Sequence, residues 1–155
     1  MKLSYCLFLL PLFLMACHSH PEASETMKSA QAKYLENLKA EEGTQQLLDE
    51  LQQRSNALQV QGRELSNTEQ MFVQVTNNLQ KEFDQWKANL TEVPGVEAPG
   101  HEGHDHSHAD AELSDEQYLQ LQESLARGIS LIQRKAQTLI ENEDKVEQDS
   151  LPSSN

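Results

Sequence analysis

Cysteine is scarce in this chain: there are two, Cys6 and Cys17, both at the very start of 155 residues. They cannot supply a framework of several disulfides or a four-thiolate zinc site. Basic residues are also few, 12 Lys and Arg against 25 Asp and Glu, for a net charge of −13. Such a surface repels nucleic acid and anionic lipid head groups, and it favours cations, basic partners and solubility. Proline is missing from residue 22 to residue 93. No alternation of Val, Ile and Thr is sustained, so a sheet is not expected. No apolar run approaches the roughly 20 residues that a membrane-spanning helix needs. There is no Ser/His/Asp set in local context, no glycine-rich phosphate loop and no α/β pattern. An enzyme, a cofactor and a small-molecule substrate are therefore not expected. No repeat of 20–50 residues is visible.

The first segment, "MKLSYCLFLLPLFLMAC", has an early Lys2, an apolar stretch from Leu7 to Met15 broken only by Pro11, and a small residue, Ala16, before Cys17. That is the order of a secretory signal. Its last four residues, Leu14 to Cys17, resemble the lipobox of bacterial lipoproteins. The resemblance implies that residues 1–16 are a removed signal peptide. It also implies that Cys17 carries acyl chains such as palmitate and becomes the first mature residue. Each buried CH₂ contributes about 0.8 kcal/mol, and two or more chains anchor a protein stably to a bilayer. The expected location is the bacterial cell envelope. The residue after the cysteine is His18 rather than Asp, which resembles the outer-membrane class more than the inner. On this reading Cys6 leaves with the signal, Cys17 is capped, and no thiol remains. Residues 17–23 then form a lipidated tether.

Helix formers (Leu, Gln, Glu, Lys, Ala) dominate residues 24–92. Leu51, Leu58, Leu65, Phe72, Leu79 and Trp86 fall every seven residues, with Leu47, Leu48, Val75, Phe83 and Leu90 beside them. This is the beat of coiled-coil-like packing. The second seam position is poor, holding Arg54, Gln61, Thr68 and Glu82. Two breaks are candidates, one near residue 43 at Glu42-Gly43-Thr44 and one near residue 66. The second is an S-x-x-E capping box, Ser66 to Glu69. The seven-residue beat across Leu58, Leu65 and Phe72 favours an unbroken helix through residue 66. The aromatic residues Phe72, Phe83 and Trp86 are expected in the core.

Residues 93–112 form a Pro/Gly/His-rich connector that opens on Val93-Pro94-Gly95. A second helix is expected over 113–147, with Asp115 and Glu116 suited to its first turn. Tyr118, Leu125, Ile132, Leu139 and Val146 repeat every seven residues, widened by Leu121, Ile129, Ala136 and Ile140. Residues 148–155 read as a disordered tail. The expected fold is all-α: an elongated antiparallel helical hairpin, or a three-helix coiled-coil-like bundle if residues 24–42 fold back. The stretch "NNLQKEFDQWKANL", with its connector and following helix, resembles a group of small coiled-coil-like bacterial lipoproteins, which implies no activity.

The connector contains "HEGHDHSH". His101, His104, His106 and His108 lie within eight residues, beside Glu102, Asp105 and Asp110. Neutral imidazole is the commonest nitrogen ligand of zinc, copper and nickel. In an extended strand of chain His104, His106 and His108 point to one side. The loop resembles the His-rich loops of zinc-handling transporters and periplasmic zinc-binding proteins. That implies a site of low selectivity, ordered by the metal itself. His18 and His20 offer a second, shorter pair. Two functions follow. One is a lipid-anchored helical module that binds itself or a protein partner through its stripes. The other is metal binding, buffering or sensing through the connector.

Overall fold

The computed structural model describes residues 23–96 and 113–150, with side chains described as far as residue 145. Three helices make up the described chain: α1 (Glu25–Gln59), α2 (Asn67–Ala88) and α3 (Asp115–Ser150). At 1.5 Å per residue α1 and α3 are about 50 Å long and α2 about 33 Å. The fold is an all-α three-helix bundle, and no strand occurs among the described residues. Asn37 of α1 meets Gln122 of α3, and Arg54 of α1 meets Glu143 and Asp144 of α3. Both pairs advance in the same direction, so α1 and α3 run parallel. Lys135 of α3 meets Glu82 of α2, whereas Trp86, further along α2, meets the earlier Leu125. Helix α2 therefore runs antiparallel to α3.

Each helix buries two lines of residues a heptad apart. In α1 they are Ala30, Asn37, Thr44 and Leu51, flanked by Tyr34, Leu48 and Ser55. In α2 they are Phe72, Leu79 and Trp86, flanked by Thr76 and Phe83. In α3 Leu125 and Ile132 are flanked by Gln122, Ile129 and Ala136. The aromatic residues lie in the core as expected, with Phe83 stacked on Trp86 at a centroid distance of 6.1 Å. Lys87 Nζ sits 5.1 Å from the Phe83 ring centroid, a cation–π contact. Trp86 Nε1 donates to the Leu125 carbonyl over 2.8 Å. Gly128 makes room for this ring: a Cβ there would lie 3.3 Å from Trp86 Cδ1.

Several sequence expectations change. The helix favoured as continuous through residue 66 ends at Gln59, and α2 begins at Asn67. Gly62 turns the chain at φ +67°, a conformation that costs glycine nothing. Ser66 then restarts the helix. Its hydroxyl accepts from the Glu69 amide, and the Glu69 carboxylate accepts from the Ser66 amide. The seven-residue spacing across residues 58–72 does not mark one seam, because Leu65 lies in the non-helical turn and outside the core. The break near residue 43 does not form. Gly43 lies inside α1, facing Gln133, whose side-chain amide donates to the Ala40 carbonyl. Hence the fold-back uses residues 60–66 and not residues 24–42. Val75, placed in the seam by the sequence, is 39% exposed, and Thr76 points inward instead. The last helix runs to Ser150, beyond the expected end at 147. At its start Ser114 and Gln117 form a reciprocal capping pair.

Beyond α2 the chain exits through a tight turn. Val96 N donates to the Val93 carbonyl, with Pro94 and Gly95 at the centre and Gly95 at φ +81°. Pro–Gly in those places suits a type II turn. Gln31 of α1 pins the turn by donating to the Pro94 carbonyl over 2.7 Å. Every core residue among those described lies between Met27 and Ile140. A chain shortened at its N-terminus to residue 18 therefore keeps the whole of this core.

The reversal at residues 60–66 has a pH signature. Arg63 pairs with both oxygens of Glu69. That pairing first, and then hydrogen bonding of the carboxylate by the Ser66 backbone amide and hydroxyl, pulls the Glu69 carboxyl from 4.5 down to about 2. A depressed acid stabilises the fold fully above its ordinary value, and the contribution fades as pH falls through the folded value. Glu69→Gln is expected to be less stable than the parent at pH 6. Urea unfolding should show the gap narrowing below pH 4.5 and closing near pH 2.

Candidate functional site

The bundle is not uniformly apolar. Asn37 and Gln122 are each about 1% exposed or less, in the upper half of the bundle, where α1 and α3 begin. Asn37 Nδ2 donates to both Gln122 Oε1, over 2.9 Å, and the Gln122 carbonyl, over 3.0 Å. Gln122 Nε2 in turn donates to the Thr91 carbonyl over 2.8 Å. One chain of hydrogen bonds thus joins α1, α3 and the segment after α2. Tyr34 lies one turn before Asn37. Burial, then the charges of Glu92 and Glu41, raise its phenol above the ordinary value and keep it neutral. Asn37, Gln122 and the Thr91 carbonyl satisfy one another, as buried polar groups generally do. The arrangement fixes register and does not resemble a reactive centre.

The lower end is different. There α1 ends, α2 begins, and the three helices part around a groove of about 630 Å³. Its walls are apolar: Ala57, Leu58, Met71, Phe72, Val75 and Leu139. Met71 is 65% exposed. The groove runs on between α2 and α3 into a second hollow of about 530 Å³, sharing Val75, Leu139 and Asn142 with it. The joined trough follows α2 from Glu69 to Glu82, about 20 Å of helix.

Charge is unequal along the trough. At the lower mouth stand Glu69, Glu143 and Asp144 with Arg54. The Arg54 guanidinium donates to Asp144 over 2.6 Å, to Glu50 over 2.6 Å and to Glu143 over 3.2 Å. Those bonds raise Arg54 above its ordinary value, with Asp144 the largest cause, so it stays charged. With Glu50 counted, and Arg63 paired to Glu69, four carboxylates stand against two guanidinium groups, which leaves that mouth negative. At the upper end Glu82 pairs with Lys135, and Arg134 lies alongside.

Cys17 and His101, His104, His106 and His108, with Glu102, Asp105 and Asp110, all lie outside the described residues. So do His18 and His20. Among the described residues no group of three His, Cys, Asp or Glu side chains is placed to hold a metal ion. No helix among them is long and apolar enough to cross a membrane. The trough escaped the sequence reading because Val75 fits the seven-residue seam as a neighbour. Met71 and Val75, spaced i, i+4, form a second apolar line beside the buried Phe72 and Thr76. That spacing was the available signal.

The buried polar tie carries a prediction. Asn37→Leu removes the donor to Gln122 and leaves the Gln122 side-chain oxygen buried without it, so a loss of about 1–3 kcal/mol in urea unfolding is expected. The double variant Asn37→Leu/Gln122→Leu is expected to recover part of that loss, because no orphaned side-chain group remains. Comparison with protein-family models, with curated proteins and with solved structures gives no match to this chain.

Proposed function

We propose that this chain is a lipid-anchored protein of the bacterial cell envelope that acts as a non-enzymatic helical interaction module. The observation that carries the reading is the apolar trough, in which Met71 and Val75 stay exposed one turn apart beside Leu139, while the other exposed large apolar residues, Leu35, Val60 and Leu131, lie outside it. An exposed apolar patch with a polar rim is the mark of an interaction surface. The lipobox-like Leu14 to Cys17 supports the anchorage, and His18 supports the outer membrane over the inner. The tether of residues 17–23 leads into α1 at its upper end. A bundle about 50 Å long would then hold its trough well away from the bilayer. Cells fed labelled palmitate are expected to label the parent chain and leave Cys17→Ser unlabelled, with the variant lost from the membrane fraction. Persistent labelling of the variant refutes lipid attachment at Cys17.

A second reading rests on four histidines within the segment that joins α2 to α3. Zinc, copper or nickel bound by His101, His104, His106 and His108 would order that connector and bias how α2 and α3 dock. Calorimetric titration of residues 18–155, prepared without a histidine tag, tests it with zinc and then copper. Sub-micromolar binding at about one ion per chain, lost when the four histidines become serine, supports metal handling. Binding weaker than about 100 µM, under 6 kcal/mol, leaves a plain connector.

A further inference from the structure

The trough between α2 and α3 has a definite length, lining and charge. We infer that it receives an amphipathic helix of another protein, whose apolar face lies along Met71, Val75 and Leu139 and whose basic residues face Glu143 and Asp144. This rests on the reading of the chain as an interaction module and names the chemistry of its partner.

Three observations carry it. The first is length: about 20 Å of α2 borders the trough, room for nearly four helical turns. Helices dock in grooves of this kind through residues at i, i+3, i+4 and i+7. The second is the lining, in which an exposed, unbranched Met71 adapts to several apolar side chains. The third is charge. The lower mouth has four carboxylates, Glu50, Glu69, Glu143 and Asp144, against Arg54 and Arg63, so lysine or arginine on the incoming helix meets attraction and an acidic helix meets repulsion.

Charge also decides against a second copy as the occupant. The helical end that another copy would offer, the last turns of α3, contains Glu141, Glu143, Asp144, Glu147 and Asp149 against Lys145. Such an end is repelled by the same mouth. The net charge of −13 opposes self-association more generally.

The test uses residues 18–155, which keep the whole described core, and a synthetic helix of about 18 residues. The peptide has leucine at i, i+3, i+4 and i+7, glutamine elsewhere, and four lysines at one end. A counterpart has glutamate for lysine. Fluorescence anisotropy is expected to show saturable binding of the lysine peptide at 0.15 M salt and none of the glutamate peptide. The deciding variant is Met71→Glu/Val75→Glu. It adds two negative charges, so unspecific attraction to an acidic protein predicts tighter binding. Docking in the trough predicts binding weaker by tenfold or more. Circular dichroism checks that the variant remains helical. Should it not, a photo-crosslinker at the centre of the peptide's apolar face is used with the parent chain, and its products are expected at Met71, Val75 or Leu139. No saturable binding, equal binding of both peptides, unchanged or tighter binding by the variant, or cross-links elsewhere overturns the inference. So does sedimentation that shows a parent dimer dissolved by the two substitutions, since a second copy would then fill the trough.

The broader reading fails differently. Photo-crosslinkers placed in cells at Leu35 and Leu131, exposed and outside the trough, report partners on other faces. Cross-links there without peptide binding leave an interaction module whose trough is not the docking site. Cross-links at none of Leu35, Leu131, Met71 and Val75 remove the module itself.

Discussion

Gln122 is fully buried in the upper half of the bundle, so its amide depends on protein partners. Its side-chain oxygen accepts from Asn37 of α1 and its nitrogen donates to Thr91 beyond α2. A one-turn slip of α1 along α3 would strip Asn37 Nδ2 of its acceptors and Gln122 Oε1 of its donor, at a cost of about 1–3 kcal/mol for each orphaned group. Leucine seams alone tolerate such slips, because one apolar contact resembles the next. The parallel pairing of the two longest helices therefore depends on this tie, and the Arg54 cluster some five turns lower confirms the same alignment. Buried polar residues used to fix register have a known precedent in coiled coils.

The same alignment places the trough. With the α1–α3 register fixed, the reversal at residues 60–66 brings α2 back between them, and Trp86 locks its far end against Leu125 and Gly128. The near end of α2 has no equivalent lock. There the wall is Phe72 and Leu58, with Met71 and Val75 turned outward. The trough thus lies at the end of the bundle where α1 ends and α2 begins.

Much of the fold was legible in the sequence. The heptad lines from Phe72 to Trp86 and from Tyr118 to Leu139 follow from apolar side chains that water excludes at helical spacing. The all-α class follows from them. The seam of α1 was only half legible. Asn37, Thr44 and Ser55 occupy core positions, and a polar residue at a seam position looks like solvent exposure until its partner is known. The break at residues 60–66 was visible as a capping box, yet the apolar beat ran through it and outweighed it. The candidate trough was the least legible part. Met71 and Val75 read as extra seam residues, because periodicity cannot tell which of two adjacent apolar lines will be covered.

The sequence by itself determined the helical character, the acidic surface, the lipobox-like start and the clustered histidines, since each is a property of residue type and local spacing. Only the tertiary structure decided that α1 and α3 lie parallel, that Asn37 and Gln122 face each other across 85 positions of chain, and that the α2–α3 trough stays open at one end. Those features depend on which surfaces meet. Non-local burial sets that choice, and no local pattern encodes it.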